Sequence, residues 1–472
     1  MTNQIHVSSP PIEPIYSQTG PNQTIDLGQV VVQFEYQGTA HQAIANVTMR
    51  FQPDDGLRFV VPLEGAAQSF GWGIGDSCPY IKLTLVDSGV MFDAFYAGDD
   101  GDHGGTVFLP RKSAITVTAR SNAISTVTFH LFNFPKFSGP EDYILATGKP
   151  SLQGAKACGR VVLKAYGWKI TFAATDRTDT IEKSLEAQGG YALTHMGQIV
   201  REDGSTFASE QLDDLLECLA YFLSFAFGCW TGVALPVGFD TEGKRVFEQW
   251  GISKTAAGAW SGARSWFDIQ HGEFLSQVFP GFMSLWKNEL WQKPLTYAIY
   301  WYLGACDRGV GIGVDTGLIL AQTALELLAW THCVQDRKMV SPAAFKQRGL
   351  SAADKLRLLA SSLGIPKEIP PSLSALSALH GKPAKKWEDG MDAITSIRNS
   401  LVHSDTQTEL PDTSYVEAWR LSLWYIDMVL LRLCGYRGYY AKRLAAIRWE
   451  GGVELVPWWA GGIELVPWAE KK

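Results

Sequence analysis

The chain has 472 residues, 46% hydrophobic and 19% charged, enough for two to four cores at about 100–200 residues each, which excludes an intrinsically disordered chain. With 41 basic against 48 acidic side chains the net charge is −7, which excludes coating of nucleic acid through bulk charge; a polyanion site has to be a local patch. The seven cysteines, at 78, 158, 218, 229, 306, 333 and 434, include no C-x-x-C pair, so reduced thiols in a cytoplasmic protein are expected rather than a disulfide framework or thiolate zinc site.

Residues 1–20 are polar and Pro-rich and do not read as a signal peptide. From there to about 205 the chain reads as strands and turns: Val30–Tyr36, Arg58–Pro62, Ile81–Val86, Ala114–Ala119, Ser125–Phe132 and Arg160–Leu163 are short β-branched or aromatic runs with Gly, Pro, Asp or Asn between them. Such spacing predicts a β-rich domain over 1–205, sandwich-like or barrel-like. The loop Asp99-Asp-Gly-Asp-His103 has oxygen ligands but neither the twelve-residue loop nor the closing Glu of a calcium site, so a solvated loop is expected.

Residues 206–305 read as a mixed α/β connector. The 22 uncharged residues from Cys218 to Phe239 are long enough to span a bilayer, but Gly228, Gly232 and Pro236 interrupt them. Leu212, Leu215, Leu219 and Leu223 instead repeat at helical spacing, which predicts a buried helix running into a hairpin around Gly243 and no membrane span.

From 306 to 445 the pattern turns helical. Leu318, Ala321, Leu325 and Leu328 mark one helix, with Gln322, Glu326 and Trp330 on its opposite stripe. Ala352–Leu363 is closed by Gly364 and Pro366. Trp387, Met391, Ile394 and Leu401 mark another helix, and Tyr415 to Leu433 a last long one before the basic Arg437, Lys442, Arg443 and Arg448. An antiparallel bundle follows, giving an α+β chain overall. Residues 335–450 carry 17 basic and 12 acidic side chains, a balance of +5, against 15 and 21, or −6, in residues 1–210; a polyanion is better received at the C-terminal end. In the tail, 446–472, Gly451-Gly-Val-Glu-Leu-Val-Pro-Trp458 recurs as Gly461-Gly-Ile-Glu-Leu-Val-Pro-Trp468. Two copies are too few for a solenoid; a loosely ordered tail is expected, or a peptide that docks in a partner's groove.

Within the bundle stands Ile397-Arg398-Asn399-Ser400-Leu401-Val402-His403. If helical, Asn399 and His403 share a face, with Arg398 about 140° away, within a long side chain's reach. Metal-free RNA cleavage needs a base for the ribose 2′-hydroxyl, an acid for the leaving oxygen and a cation on the phosphate. Histidine titrates near neutrality, and arginine offers a fork of donors to phosphate oxygens. Alone, six residues of this kind also describe a surface Arg and a helix-capping His. Gly309-Val-Gly-Ile-Gly313 lacks the spacing and preceding strand of a dinucleotide loop and reads as a helix entry. No serine-hydrolase elbow, P-loop or H-E-x-x-H occurs.

Three blocks in order, Leu320-Ala-Gln-Thr-Ala-Leu-Glu-Leu-Leu328, Ile397–His403 with its R-x4-H spacing, and Leu431-Arg-Leu-Cys-Gly-Tyr-Arg-Gly-Tyr-Tyr440, make residues 313–440 resemble the HEPN superfamily, in particular its ApeA-like branch of bacterial defence proteins. The resemblance implies a metal-independent, cofactor-free endoribonuclease of a toxin or phage-defence type, acting on tRNA or other RNA. It implies a homodimer with Arg398 on the scissile phosphate, His403 in proton transfer and Asn399 in support, each from both subunits. Glu326 resembles an acidic residue that pairs with the motif Arg in some members, and reads equally well as an exposed helix glutamate. The β-rich domain would then be a sensor or regulatory module that meets a trigger or partner. Two other readings stay open: a non-catalytic HEPN module that binds nucleic acid or nucleotide or serves as scaffold, and a β-sandwich ligand-binding protein whose bundle only dimerises.

Overall fold

Apolar residues alternate with polar ones along β1 (Ile25–Tyr36) and β2 (Thr39–Arg50), so that Val32 and Phe34 from one strand and Ala45, Val47 and Met49 from the other are buried. Gly28, at φ 95, takes the left-handed conformation that a bulge after Asp26 requires. With β3 (Gly56–Val61), β4 (Tyr80–Leu85), β5 (Met91–Asp100) and β6 (Gly105–Pro110) they close a barrel in the order β1-β2-β3-β6-β5-β4, sealed where Val32 pairs with Leu85. Phe34, Phe59, Leu83 and Phe108 fill it. The structure, a computed structural model, describes residues 12–36, 39–51, 56–62, 80–100, 105–140, 143–146, 155–252, 257–260, 265–307, 313–347, 349–379, 387–403, 410–445 and 449–459. Asp99 and Asp100 end β5, and the rest of the acidic loop lies outside these residues.

β7 (Ala114–Thr116) and β8 (Thr126–Phe132) leave the barrel for a second sheet. After the hairpin β9 (Tyr143–Ala146) and β10 (Ala155–Cys158) come β11 (Arg160–Ala165), β12 (Trp168–Ala174), α1 (Thr178–Gln188), β13 (Leu193–Arg201), α2 (Glu210–Phe227), β14 (Gly232–Phe239) and β15 (Arg245–Gly251). Seven of these strands form one sheet in the order β11-β12-β13-β8-β14-β15-β7. The β-rich region is thus a closed six-stranded barrel and a seven-stranded antiparallel sheet, so of the two forms expected the barrel-like one is present and the sandwich-like one is not. Short alternating strands specify a buried face but leave their edge partners open, and here β4 closes on β1.

The chain divides into two compact units, residues 1–223 with 230–260, and residues 224–229 with 261–472. The stretch 206–305, expected as a connector, is shared between them. The uncharged segment is a helix to Phe227 and then the strand β14. Among the described residues one helical stretch, Val314–Asp336, is long and apolar enough to cross a membrane, and 67% of its apolar 18-residue segment is buried inside the protein.

Two histidines in the second sheet lack any exposure. His130 on β8 accepts from the Tyr16 amide at 3.1 Å, and His195 on β13 stacks on Phe137. Burial lowers the first to about 4 and the second to about 3. Both are neutral in the folded protein, so their stabilising effect is complete above the unfolded value of 6.5 and is lost as pH falls toward 4 and then 3. Each is expected to remove about 1.4 kcal/mol per pH unit within its window. Denaturant unfolding between pH 7 and 4 measures this, and His195→Phe should flatten the slope; a pH-independent midpoint would contradict it.

The helical unit contains α3 (Glu273–Lys287), α4 (Glu289–Cys306), α5 (Val314–Trp330, extended by a π turn at Thr331–Asp336), α6 (Pro342–Lys346), α7 (Ala352–Leu363), α8 (Ser374–Leu379), α9 (Gly390–Val402) and α10 (Asp412–Leu433). Leu318, Ala321, Leu325 and Leu328 are buried as predicted, and α7 ends at Gly364 in the left-handed conformation, φ 70. Gln322, on the opposite stripe, is buried as well. Arg443 of the basic stretch is buried too. Its Nε donates to Asp427 at 2.5 Å, and its guanidinium also donates to the Tyr302 hydroxyl, which itself donates to Asp427.

The first copy of the tail repeat is part of this unit, not a loose tail or a peptide for another protein's groove. β16 (Tyr439–Ala441) pairs with β17 (Val453–Leu455), the Val456 amide donates to Gly438 O, and the Trp458 indole donates to Tyr436 O at 2.7 Å beneath the Arg432 guanidinium. The Gly451 amide donates to Asp268. The second copy, 461–468, lies outside the described residues but repeats the Gly-Gly, Glu, Val and Trp that make these contacts. Seating it in place of the first roughly doubles the intervening loop, a cost of about 0.6 kcal/mol. Trp458→Ala is therefore expected to melt close to wild type, and Trp458→Ala with Trp468→Ala well below it. Coincident single and double melting curves would refute this redundancy.

Candidate functional site

α9 carries the Arg–His motif, and its position is set from its N-terminus. Asp389 is the N-cap, its carboxylate accepting from the Asp392 amide at 2.9 Å. The same carboxylate takes a two-point bond from Arg357 on α7, at 2.7 Å from Nε and 3.3 Å from a terminal nitrogen. Arg357 is held in turn by Asp354, which closes a capping box with Ser351. The Gly390 amide donates to Lys367 O, and a Cβ on Gly390 would stand 2.5 Å from the Tyr425 hydroxyl of α10, so only glycine fits that approach. Met391, Ile394 and Ile397 bury the inner face of the helix.

At the other end the helix stops at Val402. His403 is its C-cap in extended conformation, φ −119 and ψ 117, with its amide donating to Asn399 O at 3.0 Å. The imidazole is exposed, and helical-wheel geometry no longer governs its direction. The backbone bond still joins His403 to Asn399 one turn back. Arg398 is half-buried; a terminal nitrogen donates to the Asn399 side chain at 3.2 Å, and its Nε is buried without a hydrogen-bond partner. Among the described residues no carboxylate pairs with this guanidinium. Glu326 on α5 accepts from Gln322 at 2.6 Å and forms no ion pair with Arg398. The structure thus gathers Arg398, Asn399 and His403 at one helix end and keeps Glu326 in a separate polar pair.

Sequence reasoning overlooked the clamp formed by Arg357, Asp354 and Asp389. Its legible part is the Ser351-x-x-Asp354 pattern ahead of an apolar run. The reach of Arg357 to Asp389, 32 residues on, has no local signature. Among the described residues no group of three or more His, Cys, Asp or Glu side chains is arranged to hold a metal. The cysteines at 218, 229, 306, 333 and 434 are free thiols.

Two family descriptions match the chain, the YopA central domain over residues 119–260 and the YopA C-terminal domain over residues 288–454. The second spans α4 to α10 and ends within the first copy of the repeat. The chain is also similar to the SPbeta prophage-derived uncharacterized protein YopA of Bacillus subtilis (strain 168), with 26% identity over 386 residues and 80% of each protein covered. No solved structure matches it.

Proposed function

We propose that the helical unit is a HEPN-like bundle that works as a metal-independent endoribonuclease, with two copies of the α9 terminus facing each other across a twofold seam. The observation that supports this most directly is a guanidinium that has no carboxylate partner among the described residues and is bonded to Asn399, itself one turn from an exposed histidine. A cation with donors to spare beside a titratable group is what a phosphodiester substrate asks for. The Arg398 fork binds the non-bridging oxygens of the scissile phosphate and stabilises the charge they gain. One His403 takes the ribose 2′-hydroxyl proton as that oxygen attacks phosphorus, and the histidine of the other subunit protonates the departing 5′-oxygen. The products are a 2′,3′-cyclic phosphate and a 5′-hydroxyl, and the need for the 2′-hydroxyl excludes DNA. Asn399 orients the Arg398 fork.

The clamp at the other end of α9 gives the motif a rigid base. The prophage origin in the relative's description fits a protein used in conflict between phage and host, with tRNA or another cellular RNA as target and the β-rich unit as the receiver of a trigger. Expression of wild type beside His403→Ala tests the reading. Growth arrest and RNA fragments with 2′,3′-cyclic phosphate ends are expected from the first alone. Intact RNA with the wild-type dimer across varied substrates would overturn it.

A further inference from the structure

The barrel carries a cavity of about 440 Å³ where β6 runs out toward β7, lined by Lys82, Met91, Phe92, Asp93, Pro110, Arg111, Lys112 and Ile115, within the range of small-ligand sites. Three of these are cations and one is a carboxylate. Lys82 lies directly opposite Asp93 in the β4–β5 register, yet among the described residues no salt bridge joins Lys82, Arg111 or Lys112 to an acid. Three cations against one carboxylate in a concave wall focus a net positive potential into it. The apolar part of the lining comes from Phe92, Pro110 and Ile115.

The surface beside the cavity continues the theme. Tyr80 is paired with Phe95 in the same register, so by strand alternation Tyr80, Lys82, Asp93 and Phe95 share one face of the barrel. Tyr80 is 57% exposed, meets Phe95 edge to face, and has the Arg111 guanidinium 5.2 Å over its ring. Flat rings and a guanidinium plane alternating with lysines are the parts of a surface on which bases stack while phosphates are held by charge.

We propose that this face of the barrel binds a nucleotide unit. Lys82, Arg111 and Lys112 hold its phosphate, Tyr80 and the apolar wall take the base, and Asp93 accepts from a ribose hydroxyl or an exocyclic amine. The unit is supplied by a free nucleotide or by a single strand. The site is independent of the Arg398–His403 motif, and its test is run in the His403→Ala full chain so that cleavage plays no part.

Labelled ten-nucleotide oligo-U is titrated by fluorescence anisotropy, and AMP, GMP, CMP and UMP by calorimetry. Saturable binding is expected, weakened at least ten-fold in Arg111→Glu and in Tyr80→Ala. With one phosphate held on a single strand, oligonucleotide affinity should fall about two- to three-fold between 50 and 200 mM salt. Binding of the oligonucleotide alone identifies a single strand as the source, and binding of a mononucleotide as well identifies the free nucleotide; either supports the site. Both substituted side chains lie at the barrel surface, and unchanged melting confirms intact variants. Absence of binding by every probe, or affinities untouched by both substitutions in folded protein, would overturn the proposal.

Discussion

His403→Ala is expected to lower the rate of RNA cleavage by about 10²–10⁴-fold, the usual contribution of a positioned proton-transfer group, and Arg398→Ala by about 10²–10³-fold, the usual loss when one donor to a developing oxyanion is removed. His403 caps α9 from outside the core and its side chain is exposed, so its removal should leave stability within about 0.5 kcal/mol of wild type. Loss of rate without loss of fold is therefore the signature to look for. Arg398→Lys keeps the charge but not the planar fork, and should retain only part of the activity. Single-turnover cleavage of a labelled RNA in the presence of chelator, alongside thermal melting and sedimentation, measures all three. Wild-type rates from either alanine variant, or activity that vanishes with chelator, would remove the basis of the mechanism.

Asp427→Ala is expected to destabilise the helical unit by about 3–5 kcal/mol, because it strands a buried cation. Asp427 has no exposure, and the Arg443 side chain only 7%. Around them the Tyr302 hydroxyl donates to Asp427 at 2.5 Å and lies within hydrogen-bonding distance of the Ser265 hydroxyl. Burial pushes the Tyr302 phenol well up, which keeps it a donor. This cluster fastens the segment after α10, which carries β16 and so the seat of the first repeat copy, to α4 and α10. At about 2–4 °C per kcal/mol for a unit of this size, melting should fall by about 6–20 °C. Replacing both partners, Asp427→Leu with Arg443→Met, should recover most of the loss, since buried pairs contribute little beyond apolar packing of the same volume. A single variant that melts within a degree of wild type would show that Arg443 finds water or another acceptor.

The motif stood out as a candidate through the three-block resemblance that contains it; its residue types and spacing alone describe a surface Arg and a capping His as well. The geometry around it was not legible in the sequence. That α9 ends at Val402 rather than past His403 follows from the extended conformation of the cap, and the isolation of Glu326 from Arg398 follows from its bond to Gln322. Helical spacing ranks both as candidates and decides neither, because a side chain's partner depends on what its neighbours on other helices leave open.

Alternation and three-to-four spacing determined that strands lead and helices follow and which faces of α5 and α9 are apolar, and Gly364 with Pro366 determined where α7 stops. These are local properties, in which each residue's burial is dictated by the period of its own element. The tertiary structure alone decided that six strands close into a barrel, that Arg443 belongs to the core rather than to a basic surface, that Arg357 anchors the helix bearing the motif, and that the first repeat copy is built into the helical unit. Each of these joins groups distant in sequence. Which of several chemically equivalent partners a charge or a strand edge takes is set by the packing of the whole unit, and no periodicity along the chain records it.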